Sequence, residues 1–216
     1  MWTQVLAFVV LTSILSKQVH SCSCMPEHEQ ATFCWADAVF KAKVTSEEAI
    51  RENSGPFIES RTYGLELLGV YRDVSGALKE GDDIRVRTAG DGGRCGISLT
   101  RGKEYYLSAY KYRGEFNVGL CGMHTSVLTQ HQEEGIVNGK FDCKCKVKQR
   151  FSRFPEDKQH LICAFAIMRG GYDYDCLRDH AFCRFDEQSQ RCSWEADESQ
   201  EICKRLSLPP NPIRRQ

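Results

Sequence analysis

The sequence predicts a mostly β fold, in which a five-stranded barrel with flanking helices is followed by a small, disulfide-rich C-terminal domain. Short stretches of β-branched and aromatic residues, separated by glycine-bearing turns, occupy the first two thirds of the chain. The chain holds 12 cysteines, an even number that indicates disulfides in an oxidising compartment. Six of them crowd into the segment from Cys145 to Cys203.

An apolar leader opens the chain. Residues 5–15 form an apolar run that is shorter than the roughly 20 residues needed to span a bilayer. Val19 and Ser21 are small enough for the −3 and −1 positions of a signal-peptidase site before Cys22. We therefore predict a signal peptide over residues 1–21, a secreted, extracellular product, and Cys22 as the first residue of the mature chain.

The charges of the mature chain are nearly balanced. The full sequence has 29 basic and 29 acidic residues, and the leader contains Lys17 and no acidic residue, so the mature net charge is −1. Proteins that bind nucleic acids or membrane surfaces usually carry a basic excess. We expect neither kind of partner.

Five stretches predict the strands of the barrel. Ile84, Val86 and Thr88 alternate with charged residues, which is typical of a half-buried strand. Short helices are predicted near residues 29–35 and within residues 125–137. Five strands with flanking helices favour a closed barrel of the OB type. The predicted strands cover residues 39–44, 62–71, 84–88, 105–110 and 116–118.

Cysteine spacing divides the mature chain into a barrel domain, residues 22–143, and a disulfide-rich domain, residues 144–216. The second domain would be marginally stable without its bridges. Residues 157–168 fit a buried strand or a helix. Residues 183–194 resemble a hairpin closed by its own cysteines, although Cys183 and Cys192 could also pair elsewhere. Six cysteines allow 15 connectivities, and the spacing does not choose among them for Cys145, Cys163, Cys176, Cys183, Cys192 and Cys203.

Catalytic motifs are missing from the sequence. It has no H-E-x-x-H, no G-x-S-x-G, no P-loop and no dinucleotide fingerprint. Paired C-x2-C motifs, which would favour a structural zinc site, are also missing. We expect a protein that is not an enzyme and that has no cofactor of its own.

The most specific motif follows the leader. Residues 22–39 read C-S-C-x-P-x-H-x-Q-x-x-F-C-x-A-D-x-V, a pattern that resembles the mature N-terminus of the tissue inhibitors of metalloproteinases. Residues 41–43, 94–96 and 142–145 are also similar to this family. The resemblance covers residues 22–145 and is fainter beyond them, where it rests on residues 181–194.

The resemblance implies a secreted inhibitor of zinc metalloproteinases. In this family the free α-amine and the carbonyl oxygen of the residue at Cys22 chelate the catalytic zinc of the target. Ser23 would enter the S1′ pocket, Met25 and Pro26 would follow the primed side, and Arg94 the unprimed side. The implied protease-contact residues are Cys22, Ser23, Cys24, Met25, Pro26, Gly93, Arg94 and Cys95. The implied disulfides are Cys22–Cys95, Cys24–Cys121 and Cys34–Cys143.

The implied partners are matrix metalloproteinases and related zinc proteases, whose zinc would be the only metal bound. The C-terminal domain would offer a surface to a pro-protease or to a component of the extracellular matrix. The exposed loop between the first two strands, within residues 44–67, would touch the protease rim.

Some positions depart from the family. Arg94 stands where Val or Leu is frequent, Glu29 where Pro is usual, and Trp35 where a small polar residue is common.

Two alternative functions stay open, a non-inhibitory netrin-like binding module and a structural matrix protein. A netrin-like module would tolerate extra residues ahead of Cys22, whereas the inhibitor would not.

Overall fold

The computed structural model describes residues 22–51, 57–149, 156–165, 172–196 and 201–203. The predicted signal peptide lies outside the described residues. The described helices are α1 (Glu29–Trp35), α2 (Gln130–Gln132) and α3 (Tyr172–His180). The described strands are β1 (Ala38–Arg51), β2 (Ile58–Asp73), β3 (Asp83–Ala89), β4 (Glu104–Tyr112), β5 (Glu115–Asn117), β6 (His124–Thr125), β7 (Lys146–Gln149), β8 (Ile162–Phe165), β9 (Ala181–Asp186) and β10 (Arg191–Ala196).

The first five strands form a closed barrel in the order β1-β2-β3-β5-β4, and pairing of β1 with β4 closes it. Strand β1 has both neighbours at once: Phe40 lies opposite Val70 of β2 and opposite Leu107 of β4. Register shifts along the β1–β2 pair bend β1, since an extra residue in one strand increases its local twist. The predicted five-stranded barrel is confirmed.

The barrel interior is filled by the alternate residues of its strands. Phe40, Tyr63, Leu65 and Leu107 are fully buried there. The hydroxyl of Tyr63 accepts a hydrogen bond from the Leu99 backbone N–H at 3.2 Å, so this polar group is satisfied inside the core. The period of two in the sequence therefore marks the residues that line the barrel.

Strands β1 and β2 extend well beyond the predicted ranges. The outer half of β1 is exposed, whereas β2 is buried or half-buried along nearly all of its length. Ion pairs link Glu47 of β1 to Arg61 of β2 and Glu48 of β1 to Arg85 of β3. Apolar periodicity does not detect the added part of β1, because backbone pairing and cross-strand side chains support it instead of burial.

Of the two helices predicted from the sequence, the first is confirmed and the second is present only in part. Helix α1 has the predicted range, and the His28 side chain caps it by accepting from the Gln30 N–H at 3.2 Å. The helix predicted within residues 125–137 is a short α2 followed by a π-helical turn, Glu133–Val137. A Cβ atom on Gly135 would lie 2.3 Å from the Phe141 ring, so the chain passes this ring closely at the irregular turn.

The C-terminal part contains the expected β9–β10 hairpin, but local pairing of its cysteines is wrong. Cys183 lies opposite Trp194 and Cys192 opposite Phe185, so the two cysteines are diagonal neighbours. Each bonds outside the hairpin instead, as the bridges Cys145–Cys192 and Cys163–Cys183. A third bridge joins Cys176 to Cys203. Within residues 157–168 the described structure is a 3-10 turn followed by β8.

The boundary at residue 143 remains a prediction, and apolar clusters extend across it. Ala31 of α1 packs with Cys145 and Val147, and Phe33 packs with Phe182. The Gln30 side chain donates to the Cys183 carbonyl at 2.7 Å and accepts from the Cys183 N–H at 2.8 Å.

Among the described residues, no helix combines the length and apolar character needed to cross a membrane.

Candidate functional site: the N-terminal ridge

The segment from Cys22 to His28 has no regular secondary structure, yet two disulfides attach its first three residues to the barrel. Cys22 bonds to Cys95 and Cys24 to Cys121, with Cα–Cα distances of 5.2 and 5.3 Å. The bridges are adjacent, because the sulfur atoms of Cys22, Cys24 and Cys121 lie within 4.8 Å of one another. Together with Cys34–Cys143, these are the pairings that the family resemblance implies.

The loop that receives Cys22 is held by its own hydrogen bonds. The Asp91 side chain accepts from the Arg94 backbone N–H and from Arg94 Nε, both at 3.1 Å. The Gly96 N–H donates to the Asp91 carbonyl at 2.9 Å. Hydrogen bonding from the Arg94 side chain holds the pKa of Asp91 below its usual value. Arg94 also donates to the Ile58 carbonyl at the start of β2.

The conformation of this loop is specific. Cys95 has a left-handed backbone, with φ of 63°, which side-chain-bearing residues rarely adopt. A Cβ atom on Gly96 would lie 2.1 Å from the Ala89 carbonyl oxygen. Glycine is therefore required at Gly96, where two backbone segments approach each other.

A third segment completes the site. The Leu120 N–H donates to the Cys95 carbonyl at 2.8 Å, and the Gly122 N–H to the Gly119 carbonyl at 3.0 Å. We call residues 22–26, 92–95 and 119–121 together the N-terminal ridge. Ser23 and Met25 are exposed on it, with 70% of Met25 accessible to solvent.

Contacts behind the ridge fix where the segment enters α1. The Pro26 carbonyl accepts from Gln149 Nε2 at 3.2 Å. His28 is fully buried, and its Nε2 lies 3.1 Å from the Leu177 carbonyl oxygen. Burial lowers the pKa of His28 to about 4, so its ring is neutral at physiological pH and donates to that carbonyl.

The predicted contact residues lie together at this ridge, and their role toward a protease stays a prediction. The described residues contain two sulfur clusters with metal-ligand spacing, one at Cys22 and one at Cys183, but all their sulfurs are in disulfides.

The sequence analysis did not identify Asp91 and Leu120 as residues of the site. Asp91, three residues before Arg94 in a glycine-rich loop, fits the pattern of a capping residue, whereas no local pattern identifies Leu120.

Comparison with known proteins identifies a family for this chain. The family model described as tissue inhibitor of metalloproteinase matches residues 20–194. The chain is 27% identical over 194 residues to metalloproteinase inhibitor 3 of Xenopus laevis, covering 87% of this chain and 86% of that protein.

Shorter matches are similar in identity. The chain is 30% identical over 138 residues to metalloproteinase inhibitor 3 of Scyliorhinus torazame, covering 62% of each chain. It is 29% identical over 149 residues to metalloproteinase inhibitor 2 of Homo sapiens, covering 64% of this chain and 65% of the relative. Since the family model spans most of the sequence, this chain belongs to the tissue inhibitor of metalloproteinase family.

Proposed function

We propose that the protein is a secreted inhibitor of zinc metalloproteinases and that it acts by occupying the catalytic zinc of its target. The α-amine and the carbonyl oxygen of Cys22 would form a five-membered chelate with that zinc. Catalytic zinc sites keep a coordination position open for water. A chelate at this position would displace the water whose activation drives hydrolysis.

The chemistry of the α-amine suits this role. An unperturbed α-amino group has a pKa of about 7.7–8.0, so a substantial fraction is neutral near physiological pH. Only the neutral amine has a lone pair to offer a metal. Signal-peptide cleavage before Cys22 would create this ligand, and the inhibitor itself would undergo no reaction.

The observation that carries the proposal is the double attachment of the N-terminal segment. The Cys22–Cys95 and Cys24–Cys121 bridges hold both sides of the exposed Ser23. A segment ordered before binding loses less conformational entropy when it binds. Ser23 would enter the pocket next to the zinc, Met25 and Pro26 would extend along one side of the cleft, and Gly93 and Arg94 along the other.

The proposed targets are matrix metalloproteinases and related zinc proteases. The proteins matched in the comparison are named metalloproteinase inhibitors, which supports this class of partner. The zinc would belong to the protease. We further propose that the C-terminal part contacts a pro-protease or a matrix component.

The decisive test is a titration of an active matrix metalloproteinase with the purified mature protein, after mass spectrometry has confirmed that it begins at Cys22. A matched sample carries one additional alanine before Cys22. We expect stoichiometric inhibition by the native form and a loss of at least 100-fold in the extended form, because the added residue removes the amine from the chelating position.

Each other outcome has a definite meaning. Equal potency of the two forms would contradict chelation and would indicate a different inhibitory surface. If neither form inhibits any of several metalloproteinases, the inhibitor proposal fails. A netrin-like binding module or a structural matrix protein would then be the better interpretation.

A further inference from the structure

A cavity of about 350 Å³ opens directly beside the N-terminal ridge. Part of its wall is the ridge itself, through Arg94, Cys95 and Cys121. Leu120 of the ridge, Trp35 at the end of α1 and Tyr110 on β4 line the cavity as well. We call this cavity and its wall the Trp35 pocket.

The large side chains of the Trp35 pocket are unusually exposed. Trp35 is 61% and Tyr110 55% accessible to solvent, and Leu120 is 39% accessible. Contiguous exposed apolar surface on a folded protein often marks an interaction site. Trp, Tyr and Arg are the residue types enriched at the energetic centres of protein interfaces, and all three line this one cavity.

The pocket wall is held in place before any partner arrives. Lys148 Nζ lies 4.0 Å from the centroid of the Trp35 ring, a favourable cation–π contact. Behind Trp35, the Arg72 side chain donates to the Ala36 carbonyl at 2.8 Å and to the Cys34 carbonyl at 3.1 Å. Tyr110 lies in β4, in register with Asn117 of β5.

Two hydroxyl groups that line the pocket are engaged by the protein. The Thr88 hydroxyl accepts from the Ile97 N–H at 3.1 Å, and the Ser108 hydroxyl accepts from the Met123 N–H at 2.7 Å. Glu27 and Arg94 also line the pocket, and the Arg94 side chain is bonded to Asp91 and to the Ile58 carbonyl. Since most of the other lining residues are apolar, an apolar side chain fits the pocket better than an ionic ligand.

We propose that the Trp35 pocket is a second anchoring site for the target metalloproteinase, and that it takes an apolar side chain from the enzyme surface beside the active-site cleft. This inference rests on the proposed function. Cys95 and Cys121 line the pocket and are bonded to Cys22 and Cys24. A protein surface that receives the ridge therefore lies next to the pocket, and Trp35 would set which enzyme surfaces fit.

The test compares inhibition constants and dissociation rates for the native protein, Trp35→Ala, Tyr110→Ala and the control Tyr112→Ala, against several active metalloproteinases. Tyr112 is 57% exposed on the same strand but does not line the pocket. We expect the two pocket variants to weaken inhibition at least 10-fold for some of the enzymes, mainly through faster dissociation. The control should stay within 2-fold of the native protein.

Thermal unfolding of each variant shows whether it folds, and the alanine-extended form tests chelation separately. Native-level inhibition by both folded pocket variants against every enzyme that the native protein inhibits would overturn the inference and leave the proposed function intact. An equal loss in the Tyr112→Ala control would overturn it as well. If no form inhibits any enzyme, both proposals fail.

Discussion

Glu29 is a carboxylate placed where a charge is costly. It begins α1, and its Oε1 accepts from Gln132 Nε2 at 2.7 Å. Among the described residues its Oε2 has no hydrogen-bond partner although it is buried. Burial, with a smaller contribution from Asp179, raises the pKa of Glu29 to about 7. The folded protein therefore holds a proton on Glu29 that the unfolded chain releases near pH 4.5.

This shift predicts a dependence of stability on pH. Because the folded pKa is raised, the Glu29 contribution is most favourable below pH 4.5 and is lost as pH rises through about 7. We expect Glu29→Gln to raise the free energy of unfolding at pH 8 by roughly 1–3 kcal/mol. The gain should be much smaller at pH 5. Thermal unfolding of both proteins between pH 5 and 8 measures it.

His28 also contributes to the pH dependence of stability in both proteins. Burial lowers the pKa of His28 to about 4, so the His28 contribution has the opposite sign and is lost as pH falls from about 6.5 toward 4. It is common to both proteins and cancels in their difference. Glu80→Gln, at an exposed site, is the control. A constant difference between Glu29→Gln and the native protein across the pH range would contradict the predicted shift.

At the scale of elements, the disulfides differ in what they hold. Cys24–Cys121 attaches the N-terminal segment to the barrel and spans 97 residues of sequence, whereas Cys145–Cys192 connects the start of β7 to β10 and spans 47. A disulfide stabilises mainly by restricting the unfolded chain, by roughly 2–5 kcal/mol. Both bridges therefore contribute to stability, but only the first one orders the ridge.

Replacing each pair by serines separates the two effects. We expect Cys24→Ser/Cys121→Ser and Cys145→Ser/Cys192→Ser both to lower the melting temperature. Only the first pair should weaken protease inhibition strongly, because it removes one of the two bridges that hold Ser23 and leaves the segment attached to the barrel through Cys22–Cys95 alone. Denaturant unfolding and inhibition assays on both variants measure this. Equal inhibition by the two variants would show that ordering of the segment is not what the ridge requires.

At the scale of the whole molecule, the barrel has a core of its own. The buried residues of that core all lie between Ala38 and Val118. The other two apolar clusters join α1 and its surroundings to the C-terminal part, through Ala31 with Val147 and Phe33 with Phe182. The barrel can therefore keep its core without the C-terminal part, while α1 cannot keep all of its contacts.

We expect the fragment of residues 22–143 to fold with its three disulfides and to melt at a lower temperature than the mature chain. Uncovering about two apolar side chains costs roughly 3 kcal/mol. Circular dichroism gives the melting temperature, and hydrogen exchange should show lost protection in α1 and retained protection in β1 and β4. A fragment that does not fold would contradict the predicted boundary at residue 143.

The barrel could be predicted from the sequence because each of its strands has a local pattern of apolar residues. Alternation at Ile84, Val86 and Thr88 reports one buried face of a strand, and all five predicted strands are present. The family pattern at residues 22–39 also indicated the bridges of the ridge. The extension of β1 could not be predicted from the sequence, because its exposed residues carry no apolar period.

The sequence by itself determined the strand set of the barrel, the range of α1 and membership in a family whose N-terminal cysteines are paired. Tertiary structure alone decided how the last six cysteines pair, since 15 connectivities satisfy the same spacing. It also decided that Glu29 is buried and that Trp35 and Tyr110 face one cavity beside Cys95. These features depend on contacts between residues far apart in the chain, such as His28 with Leu177, and local patterns carry no information about such distances.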